Sequence, residues 1–148
     1  MSDHRDPLQE LRDRAAIHDL LMRYARGVDR RDLALVASCF APDASYHGGL
    51  GTGTIAVALA ALRERLPRYQ VTMHFLGNLL IELDGDTAHC ETYGLVYHRM
   101  DDEQGSRDFV VGVRYLDDLQ RRGAGWWIVR RETHMEFQRY DTVVAPPT

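Results

Sequence analysis

"VTMHFLGNLLIELDGDTAHCETYGLVYHRM", residues 71–100, decides how this chain folds. Two apolar runs rich in β-branched and aromatic residues flank "DGD" at 84–86, a turn signal between strands. The same alternation continues past "DDEQGS" (101–106) and "RRGAG" (121–125). Four long strands are predicted: Gln70 to Leu83, Thr87 to Met100, Arg107 to Leu119 and Trp126 to Phe137. Consecutive strands joined by such short turns form an antiparallel meander.

Upstream of Pro67 the pattern is helical. Leu8, Leu11, Ala15, Leu21, Tyr24 and Val28 recur at helical steps with no proline among them, which predicts an amphipathic helix from Leu8 to Val28. "DRRDLALVASCF" (29–40) starts a second, short helix with Asp29 or Asp32 as its N-cap. "APDAS" (41–45) breaks the chain, and "SYHGGLGTGT" (45–54) reads as a short strand and a glycine-rich loop. "IAVALAALRERL" (55–66) is a third helix, ended by Pro67. Helices followed by a curled antiparallel sheet make an α+β fold in which the helices close one face and leave a pocket. The expected organisation is one domain over 1–148, with 1–7 and 142–148 as flexible tails.

The 148 residues suffice for a core that buries roughly 68–70% of the unfolded chain's surface. Composition is that of a soluble globular protein, 45% hydrophobic and 27% charged. No apolar run approaches the ~18 residues of a membrane span. "MSDHRDPLQE" lacks the basic start and apolar core of a secretory signal, so a cytoplasmic location is expected. Every basic residue apart from histidine is arginine, and the formal charge is -4. The arginines interleave with acids on separate elements, which excludes a nucleic-acid surface. Cys39 and Cys90 match no CxxC spacing and read as buried free thiols. "GGLGTGT" is not a phosphate loop, since no GK[ST] follows. No metal site and no cofactor are expected, and the partner is a small-molecule substrate.

Alternation along the second strand places Ala88, Cys90, Thr92, Gly94, Val96, His98 and Met100 on the inward face, with His89, Tyr93 and Tyr97 outward. In the first strand His74 shares a face with Thr72, Leu76, Asn78 and Leu80. Both His74 and His98 are therefore candidates for one cavity. A carboxylate bonded to one imidazole nitrogen fixes the tautomer and raises the basicity of the other, as a general base requires. Asp29 is the candidate partner; its other reading is the helix N-cap. Arg114 and His134 are candidates for the pocket mouth. The outward row Tyr93, Leu95 and Tyr97 predicts a homo-oligomer.

"RAAIHDLLMRYARGVDRRD", "FAPDASY", "TMHFLGN" and "GWWIVRRETH", in this order and spacing, resemble the SnoaL-like division of the nuclear transport factor 2-like superfamily. That family includes scytalone dehydratase, bile acid dehydratase, hexachlorocyclohexane dehydrochlorinase and polyketide cyclases. The resemblance implies a cone, a cystatin-like roll in which N-terminal helices cap a curved antiparallel sheet around a hydrophobic pocket. It implies that Asp29 and His74 form a proton-abstracting dyad. Tyr24 stands where dehydratase members have a pocket tyrosine and the dehydrochlorinase a lysine. Tyr46 and His98 resemble dehydratase pocket positions that assist loss of a hydroxyl, and Arg131 resembles the arginine facing a leaving group; Asn78 is a further substrate-binding candidate. The implied assembly is a trimer or dimer. The implied function is a cofactor-independent lyase or isomerase for a mostly apolar, cyclic hydroxylated or carbonyl substrate, with polyketide cyclase-type ring closure or non-catalytic ligand binding as alternatives.

Overall fold

A computed structural model describes residues 6–103 and 105–144. Helix α1 spans Pro7–Asp29, with Asp6 as N-cap accepting from the Leu8 amide and proline in the first turn, where its missing N–H costs nothing. Its apolar stripe, Ile17, Leu20, Leu21, Tyr24 and Val28, is buried. The helix stops in a Schellman motif: the Arg31 amide donates to the Val28 carbonyl and the Asp32 amide to that of Gly27. Arg31 stands where glycine is usual and takes the left-handed conformation, φ 58°. Asp32 then caps the short helix α2 (Leu33–Ala37) by accepting from the Leu35 amide at 2.9 Å. Gly27 lets the two helices touch, since a Cβ there would lie 2.9 Å from Val36 Cγ2.

Strand β1 (Phe40–Gly48) turns through a hairpin into β2 (Gly51–Thr54), and α3 (Ile55–Arg65) follows, ended by a 3-10 turn containing Pro67. The four long strands are β3 (Val71–Asp84), β4 (Thr87–Asp102), β5 (Gly105–Arg122) and β6 (Gly125–Thr142). They form an antiparallel meander within one six-stranded sheet of order β2-β1-β6-β5-β4-β3. Register shifts in β6 opposite Gly112/Val113 and Asp118/Leu119 mark bulges, which bend a sheet. The concave face closes over α1 and α3 around Ile17, Leu20, Val28, Leu62, Val96 and Ile128.

Three features differ from the sequence reading. "APDAS" does not break the chain; it lies within β1, whose irregular register absorbs Pro42 beside β6. The β1–β6 pairing is parallel, a neighbour relation between chain-distant segments that local patterns do not encode. Finally, Gly77 and Asn78 together oppose Tyr93 alone, so a bulge reverses the face of everything after Leu76. Asn78 and Leu80 are consequently exposed, and Leu79, Ile81 and Leu83 turn inward. In β4 the reading agrees with the structure: Ala88, Cys90, Thr92, Gly94 and Val96 are buried and His89 is exposed.

On the convex face Met73 pairs with Tyr97, and Phe75 with Leu95, with Met73 and Phe75 56% and 66% exposed. An apolar row therefore crosses this face. Of the expected tails, Pro7 opens α1, Thr142 closes β6 and the Val143 amide donates to Ser106; residues 1–5 and 145–148 lie outside the described residues.

Candidate active site

The concave face holds a cavity of about 180 Å³. Its wall is largely apolar, with Val28, Leu62, Val96, Val111 and Val113 beside the polar-tipped Tyr24, Tyr46, Arg65, Tyr69, His74, His98, Tyr115 and Thr133. β3 carries His74 before the bulge, and α1 brings Asp29 to it at its last residue. His74 Nδ1 lies 2.7 Å from Asp29 Oδ1, and the His74 amide donates to Oδ2 at 2.9 Å. The side chains are 7% and 23% exposed for His74 and Asp29.

Burial pushes the Asp29 carboxyl up, but bonds from the His74 ring and amide and from Thr72 outweigh it and hold the group below the usual carboxylate range. Asp29 is therefore an ionised acceptor and the Nδ1 proton belongs to His74, which leaves Nε2 as the ring nitrogen facing away from Asp29. Tyr24 meets the same ring edge-on, with centroids 6.4 Å apart. Burial raises the Tyr24 pKa, so its hydroxyl stays protonated and can donate.

His98 is clamped by the Tyr69 and Phe109 rings, at 4.6 and 5.5 Å between centroids. Its Nδ1 lies 3.1 Å from the Phe109 carbonyl. A carbonyl only accepts, so Nδ1 carries the proton here too. Burial lowers the His98 pKa against the opposing pull of that bond, which keeps the ring neutral with Nε2 as an acceptor. Tyr46 lines the wall, its hydroxyl 3.2 Å from Thr133 Oγ1.

The structure thus brings Tyr24, Tyr46, His74 and His98 to one cavity, with Asp29 behind His74. Arg131 lies beneath the wall: 1% exposed, it bonds Asp117 through Nε and Nη2 at 2.6 and 2.7 Å, and its guanidinium stacks under Tyr24 and Tyr115 at 4.1 and 4.5 Å. Asn78 projects away at the bulge. Arg114 covers the Tyr93 ring on the convex face, paired with Glu91, and His134 is exposed near Glu132. Sequence reasoning missed Tyr69, Phe109, Tyr115, Thr133 and Asp117. Asp117 had a signal: it alternates with Val113, Tyr115 and Leu119 on an inward face, where an acid needs a buried partner.

A model of the SnoaL-like domain matches residues 9–132. The chain belongs to the SnoaL-like family. An uncharacterized protein of Mycobacterium tuberculosis is 33% identical over 136 residues, spanning 88% of this chain and 90% of that one. Among solved structures, this SnoaL-like chain is similar to a hexachlorocyclohexane dehydrochlorinase, LinA type 2 (27% identity, TM-score 0.83, 96% of this chain and 99% of that one). It also resembles LinA type 3 of Novosphingobium barchaimii (25% identity, TM-score 0.81, 96% and 100%). A putative scytalone dehydratase of Novosphingobium aromaticivorans shares the fold at 20% identity (TM-score 0.80, 92% of each chain). No helix among the described residues is long and apolar enough to cross a membrane.

Proposed function

We propose that this protein is a cofactor-independent lyase of dehydratase type, acting on a small, mostly apolar cyclic substrate that carries a hydroxyl group. The observation that carries this reading is the Asp29–His74 bond at the cavity wall, with the helix cap supplied separately by Asp32. The similarity to a dehydrochlorinase adds support, since elimination of hydrogen halide and of water share a first step, removal of a proton next to the leaving group.

In this mechanism His74 Nε2 takes a proton from carbon while ionised Asp29 stabilises the imidazolium that forms. The C–H electron pair becomes the new C=C bond and the C–O bond breaks. The departing hydroxide takes the proton back from the imidazolium and leaves as water, which restores the starting enzyme. Tyr24 and Tyr46 offer hydroxyl donors where negative charge develops on oxygen. His98 contributes as an acceptor, holding a substrate hydroxyl through Nε2. Arg131 acts from behind, by fixing Tyr24 and Tyr115. The same dyad without a leaving group would return the proton to another carbon and isomerise the substrate.

The test is turnover of a panel of cyclic β-hydroxy ketones and alcohols, followed by water loss and by deuterium uptake from solvent. His74→Ala and Asp29→Asn are each expected to lower the rate by about 10²–10⁴-fold, the range for loss of general-base catalysis. Turnover at equal rates in wild type and both variants would remove the dyad as the base, and binding with no turnover by wild type would reduce the cavity to a binding site.

A further inference from the structure

Two arginines, Arg65 in the cavity lining and Arg31 bonded to the backbone of the lining residue Tyr69, have no part in the chemistry above. Arg65, in the last turn of α3, lines the cavity and donates through Nη1 to the Gly49 carbonyl at 2.7 Å. Arg31, in the turn between α1 and α2, donates through Nη2 to the Tyr69 carbonyl. Gly49 and Tyr69 both line the cavity, so Arg65 stands in its lining and Arg31 is bonded to the backbone of a lining residue. Their bonds go to carbonyls, and neither makes an ion pair with a carboxylate among the described residues. The nearby acids are engaged: Glu64 pairs with Arg68 at 2.6 Å, and Asp32 caps α2. The lining residues Leu50, Leu62, Leu66 and Met135 carry no charge.

A second, independent observation singles out Arg31. Among the described residues it is the non-glycine residue with positive φ, at 58°, in a helix-ending slot that glycine fills without strain. Strain of this kind persists where the side chain has work to do. A guanidinium held at the edge of an apolar cavity, with its charge unneutralised by the protein, is suited to a planar or tetrahedral oxyanion.

We propose that the lip is an anion subsite, in which Arg65 and Arg31 hold the carboxylate or phosphate end of a ligand whose apolar body fills the cavity. The proposal rests on the cavity being the substrate site and narrows the substrate to an amphipathic anion. Dyad and lip then divide the work, one end of the molecule being held while the other reacts.

Binding of three probes with one apolar body, 2-naphthoate, 2-naphthyl phosphate and 2-naphthamide, tests it by titration at low and high salt. At low salt at least one anion is expected to bind wild type roughly fivefold more tightly than the neutral amide, about the worth of a good exposed ion pair, and the gap should shrink with salt. Whichever anion binds more tightly identifies the oxyacid. In Arg31→Gly/Arg65→Gln the preference should vanish with the amide's affinity unchanged. Arg31→Gly alone should raise Tm while weakening anion binding, a combination that a purely structural arginine would not produce. Equal binding of amide and anions to wild type, failure of both anions to bind, or a preference that survives in the double variant would overturn the subsite. His74→Ala should keep the preference, so failure of the dyad and failure of the lip are separate results.

Discussion

Two aspartates, Asp29 and Asp117, each engage one basic residue through both carboxylate oxygens, yet the two pairs are built for opposite purposes. Asp29 bonds the ring and the amide of His74 at the cavity wall and leaves Nε2 unoccupied. Asp117 and Arg131 are sealed beneath Tyr24 and Tyr115, 0% and 1% exposed. Burial alone would lower the Arg131 pKa, but Asp117 and the neighbouring hydroxyls raise it far above the ordinary arginine value, so this cation never gives up its proton. An imidazole exchanges its proton near neutral pH; a guanidinium does not. The pair facing the cavity is the one available to the proposed proton transfer, and the sealed one packs beneath the wall against Tyr24 and Tyr115.

The largest effect expected from breaking this comparison falls on stability. Asp117→Ala strands a buried guanidinium that already has one unpartnered nitrogen, Nη1, and should cost about 3–5 kcal/mol in urea unfolding. Replacing both partners, as Asp117→Leu with Arg131→Met, should recover most of that loss, because apolar residues of similar size remove the charge as well as the bond. A cost under about 1 kcal/mol for Asp117→Ala would mean that the pair does not hold the wall.

A smaller effect concerns pH. His98 is half-buried with its pKa lowered by that partial burial, so below the unfolded value of about 6.5 the unfolded chain binds a proton that the folded chain refuses. Stability should therefore fall as pH drops through about 6.5, and His98→Phe should flatten that slope. Asp29 acts lower: with its folded pKa depressed, its contribution is complete above about 3.9 and is lost as pH falls through the folded value. Urea midpoints measured from pH 8 to pH 5 check the sign for His98, and their extension from pH 5 down to pH 2 checks that for Asp29. An unchanged slope between pH 7.5 and 5.5 in His98→Phe would place the His98 ring in water.

Local chemistry made much of this molecule legible in its sequence. Helical spacing marked α1, turn residues marked the hairpins, and alternation along β4 identified the buried face from Ala88 to Val96. Most of the failures are matters of chain-distant geometry. Strict alternation points Asn78 inward because it cannot register that Gly77 and Asn78 share one partner across the sheet. Asp29 and Asp32 looked equally fit to cap a helix, since the group that separates them, His74, is remote in sequence. Arg131 was singled out through resemblance, but its partner Asp117 went unread although its strand phase pointed inward.

The claim on which the account turns is that Asp29 holds the proton of His74 on Nδ1 and leaves Nε2 bare toward the cavity. Nitrogen-15 NMR of the histidine rings in the folded protein reads this directly. Neutral His74 is expected as the Nδ1–H tautomer, and Asp29→Asn is expected to disturb the hydrogen-bonded Nδ1–H signal while the rest of the spectrum keeps its dispersion. A proton found on Nε2 of His74, or an Nδ1–H signal indifferent to Asp29→Asn, would contradict it.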